Sequence, residues 1–161
     1  MNLLTHEDSS WELGSTLGKG LSGEVRVAVR VGDERKVMFD CLLFLCESNF
    51  LSQFAIKIVD FPALVSVFRD FDVTADTLEA NLMREIEVMR RLRHRNIIYL
   101  DSSFWIDSKL YMIMELVEGK DLLRSITPGG LKEEIAKNYF FQLCSAISFC
   151  HSNNVRLSIL Y

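Results

Sequence analysis

The sequence lacks a surplus of positive charge, a closely spaced pair of cysteines and an apolar run long enough to cross a membrane. Its formal net charge of −4 argues against nucleic-acid binding, because nucleic-acid-binding domains usually carry a basic surplus. Four cysteines are present, without the C-x-x-C spacing or the paired histidines of a zinc site. We therefore expect buried free thiols at these positions: Cys41, Cys46, Cys144 and Cys150.

The sequence also shows neither a secretory leader nor a candidate membrane span. No basic segment followed by an apolar core and a small-residue cleavage site opens the chain, so residues 1–10 are interpreted as a polar tail. The apolar block Val37–Gln53 is interrupted by Asp40 and is shorter than the about 18 apolar residues that a span requires. We expect an intracellular protein, in the nucleus or the cytoplasm, with no membrane partner.

What the sequence does contain is organised around the glycine-rich stretch Leu17-Gly18-Lys19-Gly20-Leu21-Ser22-Gly23-Glu24-Val25. Its G-x-G-x-x-G spacing also occurs in dinucleotide-binding folds, where a helix follows the glycines. Here the alternating valines Val25–Val31 predict a strand instead, and Trp11–Leu17 alternates too, so the glycines form a hairpin tip. Such a tip can approach phosphate oxygens with bare backbone N–H groups. An ordinary glycine hairpin is the alternative.

A later strand, Phe54–Val59, carries a lysine. Alternation predicts two faces, with Ala55, Lys57 and Val59 on one and Phe54, Ile56 and Ile58 on the other. A small residue two positions before Lys57 leaves room for a flat base while the lysine reaches the phosphates.

The segment Leu78–Arg93 has helical periodicity, and Glu85 falls inside its apolar stripe. A buried carboxylate is costly without a cationic partner, so we expect Glu85 to pair with Lys57. A carboxylate that reaches solvent at the edge of the stripe is the alternative.

The remaining segments complete an outline of secondary structure. Asp60–Thr77 is predicted to be a largely exposed connector, and Asn96–Ile106 and Lys109–Val117 to form another hairpin. Asp121–Ile126 is predicted to be a short helix and Leu131–Asn154 a long one. The side chains of the long helix that we expect to face a core are Ile135, Phe140, Leu143, Ile147 and Cys150.

Taken together, these residues resemble the protein kinase family over about Trp11–Val155. The resemblance implies an α+β fold with a kinase small lobe and hinge at 11–117, built on a five-stranded antiparallel sheet and one regulatory helix. The first helices of an incomplete large lobe follow at 118–155, and 156–161 departs from the family pattern. The chain is most similar to checkpoint-type serine/threonine kinases, through Leu17-Gly18-Lys19-Gly20, Met114-Glu115-Leu116-Val117-Glu118-Gly119 and Leu131-Lys132-Glu133-Glu134.

The resemblance implies a role for each matching position in binding ATP. Lys57 would pair with the α- and β-phosphates and with Glu85, whose helix sets the active state. Met114 would be the gatekeeper residue at the back of the site. The other positions are Leu17 with Gly18, Gly20 and Gly23 over the phosphates, Val25 and Ala55 around the adenine, the backbone of Glu115 and Val117 at its edge, and Asp121 near the ribose.

Two departures from the family pattern shape the functional expectations. After Val155 the family would continue with His-Arg-Asp and later Asp-Phe-Gly, which supply the catalytic aspartate and the Mg²⁺ ligands. Without them we expect negligible phosphoryl transfer by this polypeptide. The block Val37–Gln53 interrupts a family-length hairpin, as a translated retained intron or a functional insertion would.

Two functions remain open at this point. The chain derives from an ATP-dependent serine/threonine kinase whose protein substrate the sequence does not identify, or it is an inactive module that binds a partner, such as a full-length kinase. In the second case, Phe140, Leu143 and Ile147 would be partly uncovered and available for contact.

Overall fold

The computed structural model describes residues 3–20, 23–31, 53–71, 73–119, 121–126 and 128–155. The chain divides into two compact units, one formed by residues 1–81 and 100–116 and the other by residues 82–99 and 117–161. Residues 37–52 of the predicted insert and the predicted non-family tail 156–161 lie outside the described residues. The retained-intron hypothesis therefore stays a prediction.

The first unit is built on an antiparallel sheet of six strands in the order β1-β2-β3-β4-β6-β5. The antiparallel α+β architecture predicted from the sequence is confirmed. The strands are β1 (Leu3–His6), β2 (Ser9–Gly20), β3 (Gly23–Val31), β4 (Gln53–Asp60), β5 (Leu100–Ile106) and β6 (Lys109–Glu115).

The number of strands corrects the expected five, because β1 lies in the segment interpreted as a polar tail. Glu7 takes a positive φ of 50° between β1 and β2, and the two strands pair from Leu3 opposite Glu12 to His6 opposite Ser9. Leu4 is 7% exposed and belongs to the core cluster. The edge strand β1 therefore contributes one buried leucine to the core. The polar character of the segment gave no indication of a strand.

The two faces of the sheet match the alternation predicted for β4. One face carries a core cluster formed by Leu4, Trp11, Ala28, Ile56, Phe104 and Ile113. The ring of His6 stacks on Phe104 at a centroid distance of 4.1 Å. The other face, which we call the lysine face, is defined by the ladder positions of Val25, Ala55, Lys57, Met112 and Met114.

A helix that the sequence analysis missed follows β4. The segment Asp60–Thr77 was expected to be an exposed connector, but α1 occupies Phe61–Phe68, followed by a 3-10 turn at Arg69–Phe71. Asp60 caps α1, since its Oδ1 accepts a hydrogen bond from Ala63 N–H at 3.0 Å. The Asp-x-Pro start was the signal, and Leu64 is buried at 5% exposure.

The helix α2 (Ala75–Arg91) belongs to the first unit up to Asn81 and to the second from Leu82. The apolar stripe predicted for this segment consists of Leu78, Leu82, Ile86, Met89 and Leu92. All of these are buried except Met89, which is half-buried, and Leu92 lies one residue beyond the end of α2. The second unit also contains α3 (Leu122–Ser125) and α4 (Glu133–Ser152).

In the second unit, the loop after α2 packs on α4. The His94 ring stacks on Phe149 at 5.1 Å, and its Nε2 lies 3.1 Å from Ser145 Oγ. Asn96 Nδ2 donates a hydrogen bond to Gln142 Oε1 at 3.0 Å. One side of α4 is therefore covered by its own unit.

The expected core-facing side of α4 needs correction. Cys150 is buried and Ile147 half-buried, but Ile135 is 43%, Phe140 62% and Leu143 56% exposed. Helical periodicity gives the direction of a side chain and not what covers it. Exposure of Phe140 and Leu143 is what the partner-binding hypothesis predicted. Cys144 and Cys150 are free thiols as expected, although Cys144 is exposed, and Cys41 and Cys46 lie outside the described residues.

Candidate nucleotide-binding site

The third glycine of the hairpin, Gly23, is required by the fold itself. It has a φ of +141°, and a Cβ added there would lie 1.9 Å from the carbonyl oxygen of Ile58 on the neighbouring strand. No side chain fits such an approach, and only glycine readily adopts this backbone region. Gly23 therefore lets β3 begin directly against β4.

The other two glycines differ from Gly23. Among the described residues, a Cβ added at Gly18 or Gly20 would meet no heavy atom within 4 Å, and both glycines are exposed. The surrounding protein thus gives no packing reason for glycine at these two positions. Their backbone instead borders open space, which is what close approach by a ligand requires.

Lys57 stands in a row of paired residues that begins at the glycine hairpin. Gly18 pairs with Val25, Val25 with Lys57, and Lys57 with Met112. Because directly paired residues point to the same side of a sheet, Val25, Lys57 and Met112 share the lysine face. Lys57 is half-buried. Its strand, β4, lies next to β3, which is one of the two strands of the glycine hairpin.

The neighbouring row places a small residue beside the lysine. Val27 pairs with Ala55 and Ala55 with Met114, and both Ala55 and Met114 are buried, at 6% and 7% exposure. Because the side chain of Ala55 is only a methyl group, it is shorter than those of its two partners in this row, Val27 and Met114. The sheet surface at Ala55 suits a flat ring, with Lys57 two residues along the strand.

The predicted residues at and after the end of β6 are all exposed. Glu115 is the last residue of β6 and pairs with Phe54, and Leu17 of the hairpin is 53% exposed. Val117 is 65% exposed, and Asp121 contacts Arg124 at 3.5 Å in an exposed ion pair. Val117 and Asp121 belong to the second unit, whereas the first unit contains Leu17, Gly18, Gly20, Gly23, Val25, Ala55, Lys57, Met114 and Glu115.

The expectation that Glu85 is buried is wrong. Glu85 lies on α2 within the second unit and is exposed. A helical wheel gives the direction of a side chain and does not give its exposure. Lys57 belongs to the first unit, and the pairing of the two residues remains a prediction.

Sequence reasoning overlooked Arg26, which lies between two of the alternating valines of β3. Its Nε and Nη2 donate hydrogen bonds to the carbonyl oxygen of Gly14, at 3.1 and 2.7 Å. No pattern within a single strand indicates a contact between residues twelve positions apart. It depends on the register of β2 against β3.

Two features are absent from the described ranges, a metal-binding group and a membrane-spanning helix. In those ranges, no group of three or more His, Cys, Asp or Glu residues is placed to hold a metal ion. None of the helices found there combines the length and the apolar content needed to cross a membrane.

Comparison with protein families places the chain. The model of the protein kinase domain matches residues 52–158, more than half of the sequence. The chain belongs to the protein kinase family. The matched range includes the strand of Lys57, the helix of Glu85 and the residues from Met114 to Asp121, and it begins after the glycine hairpin.

Several curated kinases are similar to this kinase-family chain. CBL-interacting serine/threonine-protein kinase 12 of Arabidopsis thaliana is 33% identical over 145 residues, covering 90% of this chain and 24% of that protein. CBL-interacting protein kinase 19 of Oryza sativa is 39% identical over 94 residues, covering 58% of this chain and 18% of that protein. The probable serine/threonine-protein kinase HSL1 of Saccharomyces cerevisiae is 30% identical, covering 90% and 10%. The chain spans about a quarter or less of the length of these relatives.

Proposed function

We propose that the chain is the ATP-binding portion of a serine/threonine protein kinase that, in its full-length form, transfers the γ-phosphate of ATP to a protein hydroxyl. The observation that carries the proposal is the row Gly18–Val25–Lys57, in which Val25 of β3 pairs with an open glycine on one side and with the lysine on the other. Membership of the kinase family supports the same assignment. The serine/threonine preference is supported by the names of the relatives.

ATP fits the residues present, and when bound it supplies the phosphoryl group. Backbone N–H groups of Gly18 and Gly20 would approach its phosphate oxygens through the open space beside them. The ammonium of Lys57 would bind the α- and β-phosphates, and Val25 and Ala55 would pack on the adenine. Met114 would limit the depth of the adenine pocket. The other predicted residues keep the roles that the family resemblance implies: Leu17, Gly23, Glu85, Glu115, Val117 and Asp121.

Substrate and pathway remain proposals for the whole protein, because the chain spans only part of its relatives' length. The likeness to checkpoint-type kinases rests on the residues alone, while the relatives described above carry names of CBL-interacting kinases and of HSL1. We keep the checkpoint-type assignment, with its nuclear or cytoplasmic location, as a prediction. No residue among the described ranges is assigned to Mg²⁺.

A second candidate function is binding of a full-length kinase of this family without chemistry. The exposed aromatic and aliphatic side chains of α4, Phe140 and Leu143, favour it, since apolar patches of this kind serve as contact surfaces. The two functions differ in whether the first unit binds nucleotide.

The test is a titration of the purified chain with a fluorescent ATP analogue. Replacing Lys57 by Met should weaken binding by roughly 10- to 100-fold, because a charge-assisted contact contributes about 1.5–3 kcal/mol. Lys109→Met is the matched control, since Lys109 is a lysine of the same sheet that forms an exposed ion pair with Asp60 at 3.6 Å. Equal affinity of the Lys57→Met variant and the wild type would contradict the role of Lys57. Absence of binding by the wild type would favour the partner-binding function.

A further inference from the structure

The strand that leads into the glycine hairpin is bent by two register shifts. Leu13 pairs with Ala28, Thr16 with Arg26, and Gly18 with Val25. Gly14 and Ser15 therefore lie opposite the single residue Val27, and Leu17 is a further extra residue on β2. Each such β-bulge bends its strand and increases the local twist.

The side chain of Arg26 reaches back to the first of these bulges. Its backbone pairs with Thr16, the residue between the shifts, and its guanidinium donates two hydrogen bonds to the carbonyl oxygen of Gly14 in the first bulge. Hydrogen bonds from a charged donor are stronger than those between neutral groups. The guanidinium is planar, so two donors converging on one oxygen also restrict direction.

The bend matters because Val25, the neighbour of Arg26 on β3, belongs to the row that contains Lys57. Val25 pairs with Gly18 on one side and with Lys57 on the other. A change of twist at Gly14–Leu17 would move Gly18 and Gly20 relative to Lys57. The hairpin residues 15–20 are all exposed, so packing does little to hold them in place.

We propose that Arg26 is a positioning residue for nucleotide binding. By fastening the first bulge of β2 to β3, it sets the direction in which Gly18 and Gly20 extend over the lysine face. The inference rests on the proposed ATP-binding function, and it adds a residue of the opposite sheet face to the machinery of that site. Without Arg26 the strands remain paired, but the hairpin samples a wider range of orientations and binds nucleotide less tightly.

Hydrogen exchange on the nucleotide-free chain tests whether Arg26 restricts the hairpin, independently of nucleotide binding. In Arg26→Met, amides of residues 15–20 should exchange several-fold faster than in the wild type, while those of β4 and β6 keep their rates. Arg69→Met is the matched control, because Arg69 is an exposed arginine of the same unit. Unchanged exchange at 15–20 would overturn the inference, as would an equal acceleration in all strands, which indicates global destabilisation.

Titration with the fluorescent ATP analogue then tests the consequence for binding. We expect Arg26→Met to raise the Kd about 3- to 10-fold through lost preorganisation, and Arg26→Lys, which retains a charged donor, to restore part of the affinity. A faster-exchanging hairpin with unchanged Kd would overturn the positioning role. If the wild type binds no nucleotide, the proposed function fails, whereas the exchange experiment still decides whether Arg26 holds the hairpin.

Discussion

Replacing Gly23 by Ala should destabilise the first unit strongly, while the same change at Gly18 or Gly20 should not. The Cβ at residue 23 would lie 1.9 Å from the carbonyl oxygen of Ile58 and 2.9 Å from its carbonyl carbon. Both atoms belong to the backbone of β4. Unlike a side chain, this backbone cannot relieve the overlap by rotating to another rotamer. The β3–β4 ladder would have to separate at its first pairs.

The magnitude follows from two contributions. A φ of +141° disfavours any residue with a Cβ by about 1–3 kcal/mol, and forcing extra volume into a packed position costs about 1–3 kcal/mol. We therefore expect a loss of roughly 2–6 kcal/mol in the free energy of unfolding. For a chain of this length, that loss lowers Tm by about 4–24 °C.

Thermal and urea unfolding of the three single variants measures the difference. Gly18→Ala and Gly20→Ala should remain within about 0.5 kcal/mol of the wild type, as surface substitutions usually do. They should nevertheless weaken ATP binding, because each new methyl group occupies the space that the phosphates would enter. A Gly23→Ala variant that unfolds with the wild type, or a Gly20→Ala variant that is equally destabilised, would refute the reasoning.

Two further predictions concern the core side of the sheet. Leu4→Ala should cost about 2 kcal/mol in unfolding free energy, because Leu4 is 7% exposed, and the control Leu3→Ala should cost almost nothing, because Leu3 is 59% exposed; equal effects would show that β1 does not contribute to the core. Asp101→Asn should destabilise by about 1–3 kcal/mol, because Asp101 Oδ2 accepts from Arg30 Nη2 at 2.6 Å in a part-buried pair. In a double-mutant cycle the combination with Arg30→Met should cost less than the sum of the single changes, and strict additivity would contradict the interaction.

Much of the candidate site could be predicted from local patterns. Alternation in Phe54–Val59 placed Ala55 and Lys57 together on one face, and the register confirms this arrangement. The periodicity of α2 identified its buried leucines and Ile86. These predictions succeeded because the direction of a side chain follows from the repeat of its own strand or helix.

The failures have different causes. Glu85, Phe140 and Leu143 point in predictable directions, yet they are exposed because burial depends on what packs over them. The strand β1 was missed because Leu4 is its one buried residue, so the segment shows no alternation of several apolar residues. The helix α1 was missed although Asp60 and Pro62 marked its start.

By itself, the sequence determined the kinase-family character of the chain, its α+β class and the strand that carries Lys57. Only the tertiary structure decided that Gly23 serves the fold while Gly18 and Gly20 border open space, and that Arg26 reaches back to Gly14 across two bulges. The physical reason is that these properties depend on the register between strands. Strand register depends on contacts between residues distant in the chain, and no periodicity within one segment contains that information.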